Sequence, residues 1–175
     1  MLKFWADPLA PANLGLALAR REDFHDARLL AEDAQEHLQR ALALGCDPET
    51  LPVFLLGARM LDYAAMRYIY AAEMSDFWKQ MESHPSKRDL AFYLENEIND
   101  AAHSRIADMI DAVSDLYESY RTAWQAEYTP YRLRAALGKW DAESQYWWKL
   151  QGRFQILLET FRDGDALPPL ESFVK

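Results

Sequence analysis

A chain of 175 residues, half of them hydrophobic and 13% aromatic, carries enough apolar mass to close a core without metal or disulfide. Its net charge is −9, and between residues 88 and 127 nine acids face three arginines, a surface that repels phosphate backbones and argues against a nucleic-acid partner. The single cysteine, Cys46, excludes an internal disulfide, no apolar run reaches the roughly 20 residues of a membrane helix, and the opening residues lack the apolar core of a signal peptide.

Residues 1–21 read as an irregular lead anchored by Phe4, Trp5, Pro8 and Pro11. Both rings are costly in water, so they are expected to dock on the rest of the chain or on a neighbouring domain. Asn13 is placed to cap a short turn through Leu18. The first full helix spans 22–44, where Phe24, Ala27, Ala31, Ala34, Leu38 and Ala41 recur at steps of three and four and form one apolar stripe. Gly45 stands where a C-cap belongs. Glu22 and His25 have the spacing of a carboxylate–imidazole metal pair, but at the solvent-facing start of a helix they read as a solvated end.

Asp47 and Pro48 read as an N-cap and a first-turn proline, and Pro52 leads into a central helix over 51–82. From Val53 to Met74 only Arg59, Asp62, Arg67 and Glu73 are charged, and a helix apolar on every side is normally surrounded by others. Gly57, Leu61, Ala64, Tyr68, Ala72 and Ser75 share one face, small enough for close helix approach. Arg59, Asp62, Tyr63, Met66, Tyr70, Glu73 and Phe77 share another, a mixture of charge and ring. Arg59, Asp62 and Glu73 are expected to be mostly buried and mutually satisfied, with Arg105 or Glu143 as further partners.

A third helix is predicted over 87–128, opened by Ser86 with Asp89 three residues on. Leu94, Ile98, Ala101, Arg105, Met109, Val113, Leu116, Tyr120 and Trp124 keep one row along it, the pattern of a long bundle helix. Arg105 lies on that row and must either extend to solvent or pair with an acid such as Asp62 or Glu73. Asp100 and His103 form a second acid–imidazole pair, but off the row, which argues against a di-metal centre. Thr129 and Pro130 end this helix and cap a fourth over 130–162, whose seam runs through Leu133, Leu137, Trp140, Ser144, Trp147, Gln151, Phe154, Leu158 and Phe161. Glu143 lies beside that seam and Trp148 beyond it. The segment from Leu167 to Phe173 reads as an extended tail. The expected fold is thus all-α, an antiparallel bundle of four main long helices in one domain, 1–175.

No glycine-rich phosphate loop, nucleophile elbow, paired cysteines or His-Glu-x-x-His occurs, and the four histidines fall at helix ends or off the apolar rows. Two features stand out. The stripe Arg59, Asp62, Tyr63, Tyr70 and Glu73, with Arg105 and Glu143, reads either as an internal polar network or as a ligand pocket. The aromatic residues Trp124, Tyr128, Tyr131 and Trp140, joined by Trp148, read as core packing or as rings for sugars or protein interfaces. No catalytic residue, metal or cofactor is indicated.

The stretch Gly57-Ala-Arg-Met-Leu-Asp-Tyr-Ala-Ala-Met-Arg-Tyr-Ile-Tyr-Ala-Ala-Glu73, with 127–140 and 146–153 (Tyr146-Trp-Trp-Lys-Leu-Gln-Gly-Arg153), resembles the helical region that follows the catalytic barrel in bacterial glycoside hydrolases of the β-N-acetylhexosaminidase, family 20-like type. That family's catalytic Asp-Glu pair belongs to a (β/α)8 barrel, and this chain has no alternating strand–helix pattern to build one, so no catalytic residue carries over. The resemblance implies a non-catalytic C-terminal accessory domain of a longer glycoside hydrolase. Its partner would be the barrel of the same polypeptide, with carbohydrate as a further candidate. On that reading Phe4, Trp5, Trp148 and the prolines Pro168 and Pro169 are expected to leave apolar area uncovered. The competing readings are a stand-alone protein-interaction bundle and a small ligand- or metal-binding bundle.

Overall fold

The computed structural model describes residues 4–99 and 104–173, and these are all-helical, with no strand among them. The helices are α1 (Pro11–Ala19), α2 (Arg21–Ala43), α3 (Leu51–Gln80), α4 (Lys87–Ile98), α5 (Arg105–Glu127) and α6 (Leu133–Thr160), followed by a 3₁₀ turn at Leu170–Phe173. The helices predicted over 22–44, 51–82 and 130–162 correspond to α2, α3 and α6.

α3 is the central element. Ala65, Met66, Arg67, Tyr68 and Ile69 are buried in succession, and at 3.6 residues per turn five in a row pass right round a helix. Neighbouring elements therefore cover this part of it on every side. The larger core cluster joins Tyr63, Met74 and Trp78 of α3 to Leu94 of α4, Met109 of α5 and Phe154 of α6. A smaller cluster sets Ala17 of α1 and Phe24 of α2 against Tyr68 and Ala72. Cross-helix partners give the directions. Arg21 meets Asp76 and Arg28 meets Asp62, so α2 runs antiparallel to α3. Arg59 meets Ser119 and Glu73 meets Arg105, so α5 does too. Tyr63 meets Glu143 and Trp78 stacks on Phe154, so α6 runs parallel to α3. Towards its turn the α2–α3 hairpin leaves the core: from Leu51 to Asp62 only Ala58 is buried, and along α2 only Phe24 and Ala31.

Several local expectations are corrected. The long third helix is two helices, because Asn99 turns extended after Ile98 and Ser104 starts again as an N-cap, its Oγ accepting from the Ala107 amide. The apolar row runs unbroken across that bend and hides it. Asp100 and His103, the second acid–imidazole pair, lie outside the described residues. The lead contains a helix: Pro11 opens α1, and Asn13 sits inside it with Nδ2 donating to the Asp7 carbonyl at 2.6 Å rather than capping. Asp47 caps only the turn before α3, its Oδ1 accepting from the Thr50 amide at 3.0 Å, and the helix itself starts at Leu51. The cap of α6 is Arg132 in the left-handed region (φ 62°), not Thr129. The tail expected to be extended from Leu167 closes into a 3₁₀ turn at Leu170–Phe173, and it is docked: Leu170 is buried, the Trp78 indole donates to the Pro168 carbonyl at 3.0 Å, and the Phe173 ring packs edge-on to Trp78 and Phe154.

Other caps form as the residue types dictate. Ser86 Oγ accepts from the Asp89 amide at 3.1 Å. At the end of α2 the Gly45 amide reaches the Leu42 carbonyl and the Cys46 amide reaches that of Ala41, the paired bonds of a Schellman cap. Gly45 has φ +76° with open space around its Cα, so only the backbone conformation demands glycine there. Gly45→Ala is expected to cost roughly 1 kcal/mol, read as a lower urea midpoint at unchanged slope.

Candidate functional site

One buried polar group is an ion pair joining α3 to α6. Arg67, only 1% exposed, places Nε 2.8 Å from Oε1 of buried Glu143. The same oxygen accepts from the Tyr63 hydroxyl at 2.6 Å and from the Trp147 indole at 3.0 Å. Arg67 also donates through Nη1 to the Phe4 carbonyl and through Nη2 to that of Ala6, 2.8 Å away. Beside it Tyr146 donates to Asp7 Oδ1 at 2.8 Å. Burial, with the Glu143 charge second, lifts the Tyr63 phenol well above its ordinary value. Arg67 and Trp147 were not selected from the sequence, although Tyr63 and Arg67, and Glu143 and Trp147, each stand four apart on one helix face.

A second group gathers at the break between α4 and α5. Arg105 donates through Nε to Glu73 Oε2 at 2.8 Å and through Nη1 to Glu97 Oε1 at 2.7 Å, with its guanidinium over the Phe77 ring. The expected Glu73–Arg105 pair is thus present, and Glu97 is the partner that sequence reasoning missed. Glu97 is fully buried, and its Oε2 finds no hydrogen-bond partner among the described residues. Burial pushes its carboxyl up to about 7 from an ordinary 4.5, against the opposing pull of Arg105. Tyr70 donates to Asp108 Oδ2 at 3.1 Å and is itself pushed up to about 12 by burial first and the Asp108 charge second. Tyr70, Glu73, Phe77, Arg105 and Asp108 line an open cavity of about 360 Å³ from which Glu97 is sealed off.

Arg59, Asp62 and Glu73 do not satisfy one another as expected. Arg59 donates to Ser119 Oγ of α5 at 3.1 Å. Asp62, with a quarter of its side chain exposed, accepts from Arg28 and Gln35 of α2 at 3.1 and 3.2 Å. Helices on opposite flanks of α3 draw the two apart, and between them lies a cavity of about 520 Å³ lined also by Tyr63, Asp115 and Ser119. The polar stripe is therefore a set of separate contacts: Arg59 with Ser119, Asp62 with α2, Tyr63 with Glu143, Tyr70 with Asp108 and Glu73 with Arg105.

The aromatic residues divide as well. Trp140 is core, covered by Phe4, Trp5 and Tyr120. Trp124 is half-buried and donates to the Thr129 carbonyl at 3.1 Å. Tyr128, Tyr131 and Trp148 are exposed, and Trp5 is moderately so. Of the residues expected to leave apolar area uncovered, Trp5, Trp148 and Pro169 do so, while Phe4 and Pro168 are half-buried.

A further apolar opening is one the sequence did not single out. Leu30 is 70% exposed, Leu61 65% and Phe54 61%, and with Ala34, Ala58 and Ala64 they form a groove between α2 and α3. Two adjoining hollows of about 520 and 770 Å³ share Phe4, Ala34, Ala58 and Leu61. Small residues from both helices make its floor, so the face read as allowing close helix approach is in part uncovered.

Among the described residues no group of three or more His, Cys, Asp or Glu side chains is placed to hold a metal ion, and no helix is long and apolar enough to cross a membrane. Comparison with family models, with curated proteins and with solved structures gives no match.

Proposed function

We propose that this chain is a non-catalytic helical accessory domain of a sugar-cleaving glycoside hydrolase, and that it docks on the catalytic barrel through the α2–α3 groove. The observation that carries the docking is the exposure of Leu30, Phe54 and Leu61 on one contiguous face. Proteins that work alone rarely leave large bulky apolar patches in water. The state of the buried carboxylates supports the non-catalytic part. Glu143 is held by Arg67 and Glu97 by Arg105, so neither is a free carboxylate, although Glu143 lines a hollow of about 360 Å³ with Asp7, Arg67 and Tyr146. The sugar-cleaving context rests on the family resemblance. Exposed Tyr128, Tyr131 and Trp148 are the rings available to trim a neighbouring cleft or meet a sugar face.

Purified protein incubated with a chromogenic N-acetylglucosaminide and a panel of other glycosides is expected to give no turnover. Turnover that survives repurification and disappears on replacing one carboxylate would overturn the reading. The same face suits a stand-alone interaction module, and a barrel encoded upstream in the same reading frame separates the two.

A further inference from the structure

We infer that the element seated in the α2–α3 groove is an amphipathic helix with lysine or arginine along one edge. The inference rests on the docking reading above and adds the chemistry of what docks. The two rims of the groove differ in charge. On α2, Asp26, Leu30, Asp33 and His37 follow one another at steps of four, three and four, the spacing of a single outward row, and all four are exposed. Neither Asp26 nor Asp33 is in an ion pair among the described residues. Three other acids nearby are matched locally, Asp23 with Arg20 at the helix start, Glu32 with Arg28 and Glu36 with Arg40, while exposed Glu22 extends the acidic row by one more step of four. On α3, Val53, Gly57, Met60 and Ala64 repeat the same steps with no charge at all. An occupant that satisfies both rims is basic along the edge facing α2 and apolar along the edge facing α3.

The floor says that the occupant is a helix. The groove lies between two antiparallel helices whose backbone hydrogen bonds are closed internally, so it offers no free edge for an added strand. Its alanine floor instead leaves room for bulky side chains recurring at i, i+3, i+4 and i+7, the anchors of a helix laid in a groove. A second copy meeting the groove through its own α2 does not meet the requirement, because the cation continuing that row, Arg40, is already engaged by Glu36. An anionic membrane would be repelled by the same row and by the net charge of −9.

The test uses two synthetic helix-forming peptides of about five turns, with identical leucine anchors and either lysine or glutamate along one edge, titrated by fluorescence anisotropy. The lysine peptide is expected to bind about tenfold tighter at low salt. Replacing both Asp26→Lys and Asp33→Lys should invert that preference, and Leu61→Glu, checked for retained helicity, should weaken both peptides. Equal binding of the two peptides, or a preference untouched by the Asp26 and Asp33 replacements, would overturn the basic edge. An apolar dye, 1-anilinonaphthalene-8-sulfonate, reads the face itself. Dye binding lost in Leu61→Glu while neither peptide binds would overturn the helix and leave the docking face standing. Absence of both dye and peptide binding would remove the docking face as well. Capture by phosphatidylserine vesicles in place of the lysine peptide would assign a membrane and overturn the inference.

Discussion

Glu143→Ala is expected to lower the melting temperature by on the order of 6–20 °C. The replacement leaves the Arg67 guanidinium 1% exposed with no carboxylate to face. Stranding one member of a buried pair costs roughly 3–5 kcal/mol, and each kcal/mol is worth about 2–4 °C in a chain of this size. The Tyr63 hydroxyl and the Trp147 indole lose their shared acceptor at the same time, though they remain 3.0 Å from each other. The pair is not irreplaceable, however. Combining Arg67→Met with Glu143→Leu removes both charges and is expected to recover at least half of the loss, since apolar replacement of a buried pair is often nearly neutral. Thermal melts followed by circular dichroism check both. A Glu143→Ala protein that melts like the parent would show that water reaches the pair.

Glu97 gives the chain a pH dependence of the opposite sense to an ordinary surface acid. Its carboxyl titrates at about 7 when folded against an ordinary 4.5, so between these values the folded chain holds a proton that the unfolded chain has released. Stability from this group is fully present below about pH 4.5, falls as pH rises through about 7, and is level above it. The shift corresponds to about 3 kcal/mol at 1.36 kcal/mol per unit. Glu97→Gln keeps the shape and removes the titration, so the parent and variant stability curves should converge in mild acid and separate above neutrality, with the variant higher. Chemical denaturation at several pH values measures the difference. Parallel curves would mean that Arg105 holds Glu97 ionised throughout.

The fold class and most helix limits are legible because they follow from local rules. Apolar periodicity along α2 and α6, a serine before α4 and a glycine after α2 each act within a turn or two of chain. The split of the third helix was not, since Leu94, Ile98 and Arg105 keep one apparent row while the backbone bends at Asn99 and Ser104. Those two polar residues were the only signal. The polar contacts were half legible. Glu73 and Arg105 were paired correctly, but Asp62 belongs to Arg28. Charges on one helix face have no way to announce which neighbour lies across from them. Arg67 and Glu97 were missed for a related reason. Arg67 is a lone charge in an apolar stretch and Glu97 one acid in the polar run Glu95 to Asn99, and each reads as a solvated position until tertiary packing buries it and supplies a partner. The groove escaped because alanine and leucine rows look the same whether or not a third element covers them.

Arg67 holds the N-terminal segment by main-chain carbonyls, those of Phe4 and Ala6, and not by any side chain there. Every amino acid carries such a carbonyl, so this clasp is indifferent to which residue occupies position 6. What it does read is length. Tyr146 fixes Asp7 on one side and the rings of Phe4 and Trp5 lean on Trp140 on the other. Inserting or deleting a single residue between them moves one carbonyl out of reach of a guanidinium that is already buried. This stretch of chain therefore tolerates substitution at position 6 far better than any change in its residue count.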